Sequence, residues 1–242
     1  MEFFRLEKGA TNLPKDVFGQ VSALITGYVQ EHPGEMLIKT PTEIEQTFTG
    51  GNSVIAIHPE NPNLVIGYAA LYPFGLNEVL NEELFEFGSW IIHPDFRHHR
   101  INGQTLGEYV AQNLIDGKEE PIIATVKRFN TLRALIKLGF KPVKFQDYPC
   151  VSSLTCVCPS SSEHHGFNQC QHRSINPGEI VNGTSQTEPP KIACTLLGYN
   201  LEKLTWLEQQ LQQQLGLVGQ SLNYNLFQIA RQGLEERGLK IL

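Results

Sequence analysis

Helix-periodic segments and short β-rich runs are interleaved along this chain, which restricts it to folds in which helices cover a sheet. Residues 2–7 read as a strand. Residues 15–30 place Val17, Phe18, Val21, Leu24, Ile25 and Tyr28 at helical spacing. Residues 42–48 form a second helix behind Thr40 and Pro41, a cap-and-start pair. Two β-rich runs, 53–57 and 64–71, flank His58-Pro59-Glu60-Asn61-Pro62-Asn63 and read as a hairpin. Residues 85–93 form a strand, 103–114 a helix and 121–126 another strand. Asn130 caps a helix that runs through Leu138 and stops at Gly139. Two strands, 140–145 and 151–157, complete the series. The predicted order is β-α-α-β-β-β-α-β-α-β-β, an α/β or α+β sheet domain.

Beyond residue 157 the composition shifts. Residues 158–190 are rich in Ser, His, Asn, Gly and Pro without a period, and read as a linker. Residues 191–242 form a C-terminal extension, with a strand over 191–197 and two amphipathic helices. The first, 201–215, carries Leu201, Leu204, Leu207, Leu211 and Leu215 on one side; the second spans 221–237. Such stripes can pair two copies of the chain into a homodimer, although most pack on their own domain.

Charge narrows the function. A formal net charge of −6 argues against a general nucleic-acid-binding surface, which is normally basic. No apolar run approaches the roughly 18 residues of a membrane span. Met1-Glu2-Phe3-Phe4-Arg5 lacks the pattern of a signal peptide, so the expected location is cytoplasmic.

The stretch from Glu86 to Leu106 carries the chemistry. A strand ends at His93-Pro94, a basic loop follows with Arg97, His98, His99 and Arg100, and a helix is expected to begin near Asn102 or Gly103. A helix start presents unpaired N–H groups and the positive end of a dipole, a site for phosphate oxygens. Ile92-His93-Pro94-Asp95-Phe96-Arg97 resembles the strand-to-loop signature of the GNAT acetyltransferases. Downstream, Lys137-Leu138-Gly139-Phe140 is similar to the ending of that family's fourth helix. The resemblance covers about residues 2–157.

That resemblance implies a mixed, mostly antiparallel sheet flanked by helices, with acetyl-CoA as acyl donor. The strand edge at Trp90, Ile91 and Ile92 would bind the pantetheine arm and thioester carbonyl through its backbone. Residues Arg97, His98, His99, Arg100, Asn102 and Gly103 would hold the pyrophosphate, and Asn130 could contact the coenzyme or an ordered water. Two departures stand out. The family's loop carries small residues where this chain has Arg100 and Asn102. A shifted register restores Gly103 but puts Glu108 at a position expected to be apolar, so the first register is preferred. The family's usual tyrosine acid is replaced by Leu135.

Acyl transfer needs a neutral amine, and deprotonating one of pKa ~10.4 at pH 7 costs roughly 4–5 kcal/mol. A positioned carboxylate lowers that cost, and Glu86 is the first candidate base, against the plainer reading of an edge carboxylate facing solvent. Tyr68, Tyr72 and Tyr148 are candidate acids that the sequence does not separate. Cys156, Cys158, Cys170 and His172, with His164 and His165 nearby, could supply four zinc ligands, although Cys-x-Cys is tighter than usual spacing. The plainer reading is a polar loop with incidental thiols.

The expectation is an acyl-CoA-dependent N-acetyltransferase acting on a primary amine of a small molecule or protein. The rival is an inactive GNAT-like acyl-CoA-binding or protein-interaction module.

Overall fold

The structure is a computed structural model and describes residues 5–8, 13–32, 35–74, 82–151 and 191–214. The chain divides into two compact units: Met1–Tyr72 with Phe87–Lys118, and Pro73–Glu86 with Glu119–Leu242.

In the first unit, strands β1 (Arg5–Glu7) and β2 (Ser53–Ile57) pair antiparallel, and β2 pairs antiparallel with β3 (Val65–Pro73). β3 neighbours β4 (Phe85–Ile92). Helices α1 (Val17–Glu31) and α2 (Pro41–Thr49) bury one apolar stripe each on this sheet: Val17, Val21 and Ile25 from α1, Ile44 and Phe48 from α2. These meet Ile55, Tyr68 and Ile91, one residue from each of β2, β3 and β4. Each such buried Val or Ile contributes about 1.5–3 kcal/mol. Thr40 caps α2 as expected, and Glu43 returns the bond to the Thr40 backbone, completing a capping box.

Most boundaries in this unit fall within two residues of expectation, and the largest departure is before the third helix. The helix expected over 103–114 is α3 (Leu106–Ile115). The residues before it form a small hairpin of β5 (Arg100–Ile101) and β6 (Gln104–Thr105). α3 packs by Gly107 against Trp90 and Ile92; a Cβ there would lie 3.3 Å from the Trp90 ring.

In the second unit, Phe85 and Glu86 of β4 pair in parallel with Ile122 and Ile123 of β7 (Ile122–Arg128). β7 and β8 (Lys141–Val143) each pair antiparallel with β9 (Lys191–Tyr199). The result is the mixed, mostly antiparallel sheet with flanking helices that the sequence implies. β9 belongs to what the sequence reads as the C-terminal extension, yet it pairs with two strands. The strand expected over 140–145 ends at Val143, followed by a 3-10 turn, Phe145–Asp147. Val151, expected to start a strand, is helical; the rest of that strand, the linker and the 221–237 helix lie outside the described residues.

Helix α4 (Phe129–Lys137) starts one residue before the expected cap. Asn130 is therefore inside its first turn, and the cap position falls to Arg128, which makes no side-chain cap bond. Gly139 does stop the helix, with φ of 96°. The stripe of α5 (Leu201–Gln214) is spent within the unit: Leu204, Leu207 and Leu211 are at most 1 % exposed and join the core with Phe74, Leu84 and Leu196. These three leucines therefore pack on their own unit, while Leu215 lies outside the described residues.

Candidate functional site

β4 alternates buried and half-buried residues along its length, yet Ser89 in its middle has φ of 49°. A left-handed non-glycine residue costs about 1–2 kcal/mol, and such outliers persist only where surroundings hold them. What holds Ser89 is visible. It is 6 % exposed, and the Tyr72 hydroxyl of β3 donates to its Oγ at 2.6 Å. Lys39 places its Nζ 4.6 Å above the Tyr72 ring and 3.7 Å from Glu43. Tyr68, on the same strand as Tyr72, and Ser53 of β2 are fully buried. Burial above all pushes the Tyr68 hydroxyl far upward, with Tyr72 adding to it, so Tyr68 holds its proton tightly.

Past Ser89, Trp90 is fixed by a bond from its Nε1 to Gly107 O at 3.1 Å, Ile91 is buried and Ile92 half-buried. The strand ends at His93, whose Nδ1 accepts from Asp95 N–H. Phe96 then sits among three imidazoles, with ring centroids 5.2 Å from His58, 5.6 Å from His93 and 5.0 Å from His99. The His99 ring therefore packs on Phe96, while Arg97, His98 and Arg100 are exposed. Arg97 directs its Nε to Ile92 O at 3.4 Å. A cleft of about 320 Å³ runs between α1 and this segment, with Leu24, Gly27, Ile91, His93 and Arg97 in its walls.

The loop expected to cradle pyrophosphate is the β5–β6 hairpin. Asn102 and Gly103 are its two turn residues, with φ of 49° and 85°. Positive φ at both defines the turn geometry that Asn-Gly favours. The Asn-Gly pair was the available signal, and it explains why Asn rather than Gly stands at position 102.

The start of α3 is also not the open anion site expected. Thr105 Oγ1 accepts from Glu108 N at 3.2 Å, and Glu108 Oε2 accepts from Thr105 N at 2.9 Å. Leu106 N donates to His99 O at 2.8 Å. Two of the helix's first N–H groups are satisfied, and a carboxylate already lies at the positive end of its dipole. Glu108 is 7 % exposed, so the apolar position that argued against the shifted register is filled by a capping carboxylate. The Thr105-Leu-Gly-Glu108 spacing was the missed signal.

The remaining residues are placed as follows. Glu86 is half-buried in β4, Asn130 is exposed, and Leu135 is fully buried. Tyr148 shares its hydroxyl with Thr205 at 2.9 Å. Cys156, Cys158, Cys170, His164, His165 and His172 lie outside the described residues. Among the described residues no group of three or more His, Cys, Asp or Glu could hold a metal, and no helix is long and apolar enough to cross a membrane.

No family model and no curated protein matches this chain. Acetyltransferases are among the solved structures that match. An acetyltransferase of the GNAT family from Streptococcus pneumoniae has 13 % identity and a TM-score of 0.45, covering 81 % of this chain and 99 % of its own. Arabidopsis thaliana Naa50, in complex with the bisubstrate analogue CoA-Ac-MVNAL, has 11 % identity and a TM-score of 0.44, covering 81 % and 97 %. Mosquito arylalkylamine N-acetyltransferase-like 5b has 13 % identity and a TM-score of 0.44, covering 81 % and 99 %.

Proposed function

We propose that this chain is a cytoplasmic acetyl-CoA-dependent N-acetyltransferase acting on a primary amine of a small molecule or protein. The observation that carries the reading is the left-handed break at Ser89 in β4, followed directly by the His93-Pro94-Asp95-Phe96-Arg97 segment. Such a break turns backbone groups away from their regular positions in the strand. The backbone of Trp90, Ile91 and Ile92 would receive the pantetheine arm and the thioester carbonyl.

The phosphates fit this chain through side chains. The helix start is occupied by Glu108, so Arg97 and Arg100 would supply the positive charge, and His98 with the N–H groups of Asn102 and Gly103 would add donors. His99, packed on Phe96, would hold that segment in place. Glu86 is the proposed base that takes the proton of the acceptor amine. Asn130, in the first turn of α4, is a further candidate contact to the coenzyme.

One observation favours a second reading, that of an acyl-CoA-binding or protein-interaction module without turnover. The same Glu108 carboxylate opposes an anion at the start of α3.

A thiol-release assay decides between the two. Purified protein is mixed with acetyl-CoA and, separately, phenethylamine, spermidine, lysine and a peptide with a free α-amino group. Release of free CoA that depends on one of these amines, and that Glu86→Gln lowers, supports the enzyme. Binding of acetyl-CoA with no release above the protein-free rate supports the second reading.

A further inference from the structure

Breakdown of the tetrahedral adduct expels a thiolate, and Leu135 stands at the position from which the family resemblance would supply an acid. We propose that Tyr72 and Ser89 form the proton relay that protonates the departing thiolate, with Lys39 holding the charge that develops on Tyr72. The inference rests on the acetyltransferase reading above and goes beyond it by naming the source of the proton.

Three observations, two on neighbouring strands and one in the segment before α2, converge. Ser89 is the one strand residue of β4 with positive φ, and it directly precedes Trp90, where the thioester is expected. Its Oγ accepts a short bond from Tyr72 at 2.6 Å, so a proton already lies along the line of transfer. A hydroxyl–hydroxyl bond has its usual length near ~2.7–2.8 Å, which places this one at the short end. Lys39 Nζ stands 4.6 Å from the centre of the Tyr72 ring, and its attraction for that ring grows once the phenol loses its proton. The other tyrosines of this face are differently engaged. Tyr28 donates to Glu35 at 2.8 Å, and Tyr68 is sealed from solvent.

The step balances. The amine nitrogen bonds to the thioester carbon and loses a proton to the base. The C–S bond breaks with its electron pair on sulfur. Sulfur takes the Ser89 hydroxyl proton as Ser89 takes that of Tyr72, leaving a phenolate beside Lys39. The base gives its proton to solvent, solvent returns one to Tyr72, and the products are an amide and CoA–SH.

The test is thiol release from acetyl-CoA across pH 6–10, using whichever of the four amines supports turnover. Wild type, Tyr72→Phe, Ser89→Gly and Lys39→Met are compared, with thermal melting as the control for folding. Glycine at 89 keeps the positive φ while removing the hydroxyl. The relay predicts that Tyr72→Phe and Ser89→Gly lower kcat about 10²-fold or more and abolish its fall at high pH, while KM for acetyl-CoA stays within twofold. Lys39→Met moves that fall to higher pH. Folded Tyr72→Phe and Ser89→Gly proteins that retain kcat and the high-pH fall overturn the relay and leave the acetyltransferase reading standing. A wild type that turns over none of the amines overturns both.

Discussion

Thr105 and Glu108 satisfy each other across the first turn of α3: the Thr105 backbone N–H donates to the Glu108 carboxylate at 2.9 Å, and the Glu108 N–H donates to the Thr105 hydroxyl at 3.2 Å. The pair stabilises the helix and places negative charge beside the proposed phosphate site. Glu108→Gln retains a capping-box residue and removes the charge. A charge at a helix start is worth about 0.3–1 kcal/mol. The expected result is a Kd for acetyl-CoA about twofold to fivefold lower, read by calorimetry, with a melting temperature lowered by the lost charge–dipole interaction, read by a thermal scan. Thr105→Ala is expected to cost about 1 kcal/mol of stability.

At the tip of the hairpin, Gly103 has φ of 85°, a conformation that β-branched residues resist. Gly103→Val is expected to destabilise by about 1–2 kcal/mol, whereas Asn102→Gly is expected to be near neutral. Urea unfolding of both variants measures the difference. Equal effects at the two positions would contradict the turn assigned to them.

In the second unit, Glu208 is 3 % exposed and accepts from Cys150 N at 3.0 Å, Val151 N at 2.8 Å and Gln212 Nε2 at 2.8 Å. Burial first, and then the Glu208 charge, push the Cys150 thiol well above its ordinary range, so it stays protonated. Glu208→Ala leaves two backbone donors without partners, each costing about 1–3 kcal/mol. A loss of roughly 2–5 kcal/mol is expected, measured by chemical denaturation, with Cys150 becoming reactive to a thiol reagent as the segment opens.

Glu43 links stability to pH. Its carboxyl is held below the ordinary carboxylate value, first by the Thr40 backbone bond and then by the Thr40 side chain. A lowered folded-state pKa gives stability that is present above the unfolded-state value and lost as pH falls through the folded-state value. The group is largely exposed, so the effect is small. The stability difference between wild type and Glu43→Gln is therefore expected to be largest at neutral pH and to shrink on acidification.

Much of the fold was legible because periodicity reports burial. Val17, Val21 and Ile25 announced α1, and the 53–57 strand was placed to the residue. What stayed hidden depended on polar detail. The Asn102-Gly103 turn was overlooked beneath an expected helix, although Asn-Gly is a hairpin signal in its own right. Glu108 reads as out of place until Thr105 is recognised as its partner. β9 could not be assigned to the sheet because register between distant strands leaves no mark in a single sequence. The Tyr72–Ser89 bond is likewise invisible, since Tyr68 and Tyr72 look alike until one proves sealed and the other bonded at a strained residue.

The most direct test of the central claim is calorimetric titration of the purified protein with acetyl-CoA, beside Arg97→Ala and Arg100→Ala. The account predicts micromolar binding that each variant weakens and that falls with added salt. Absence of binding by the wild type, or binding indifferent to both arginines, would contradict it.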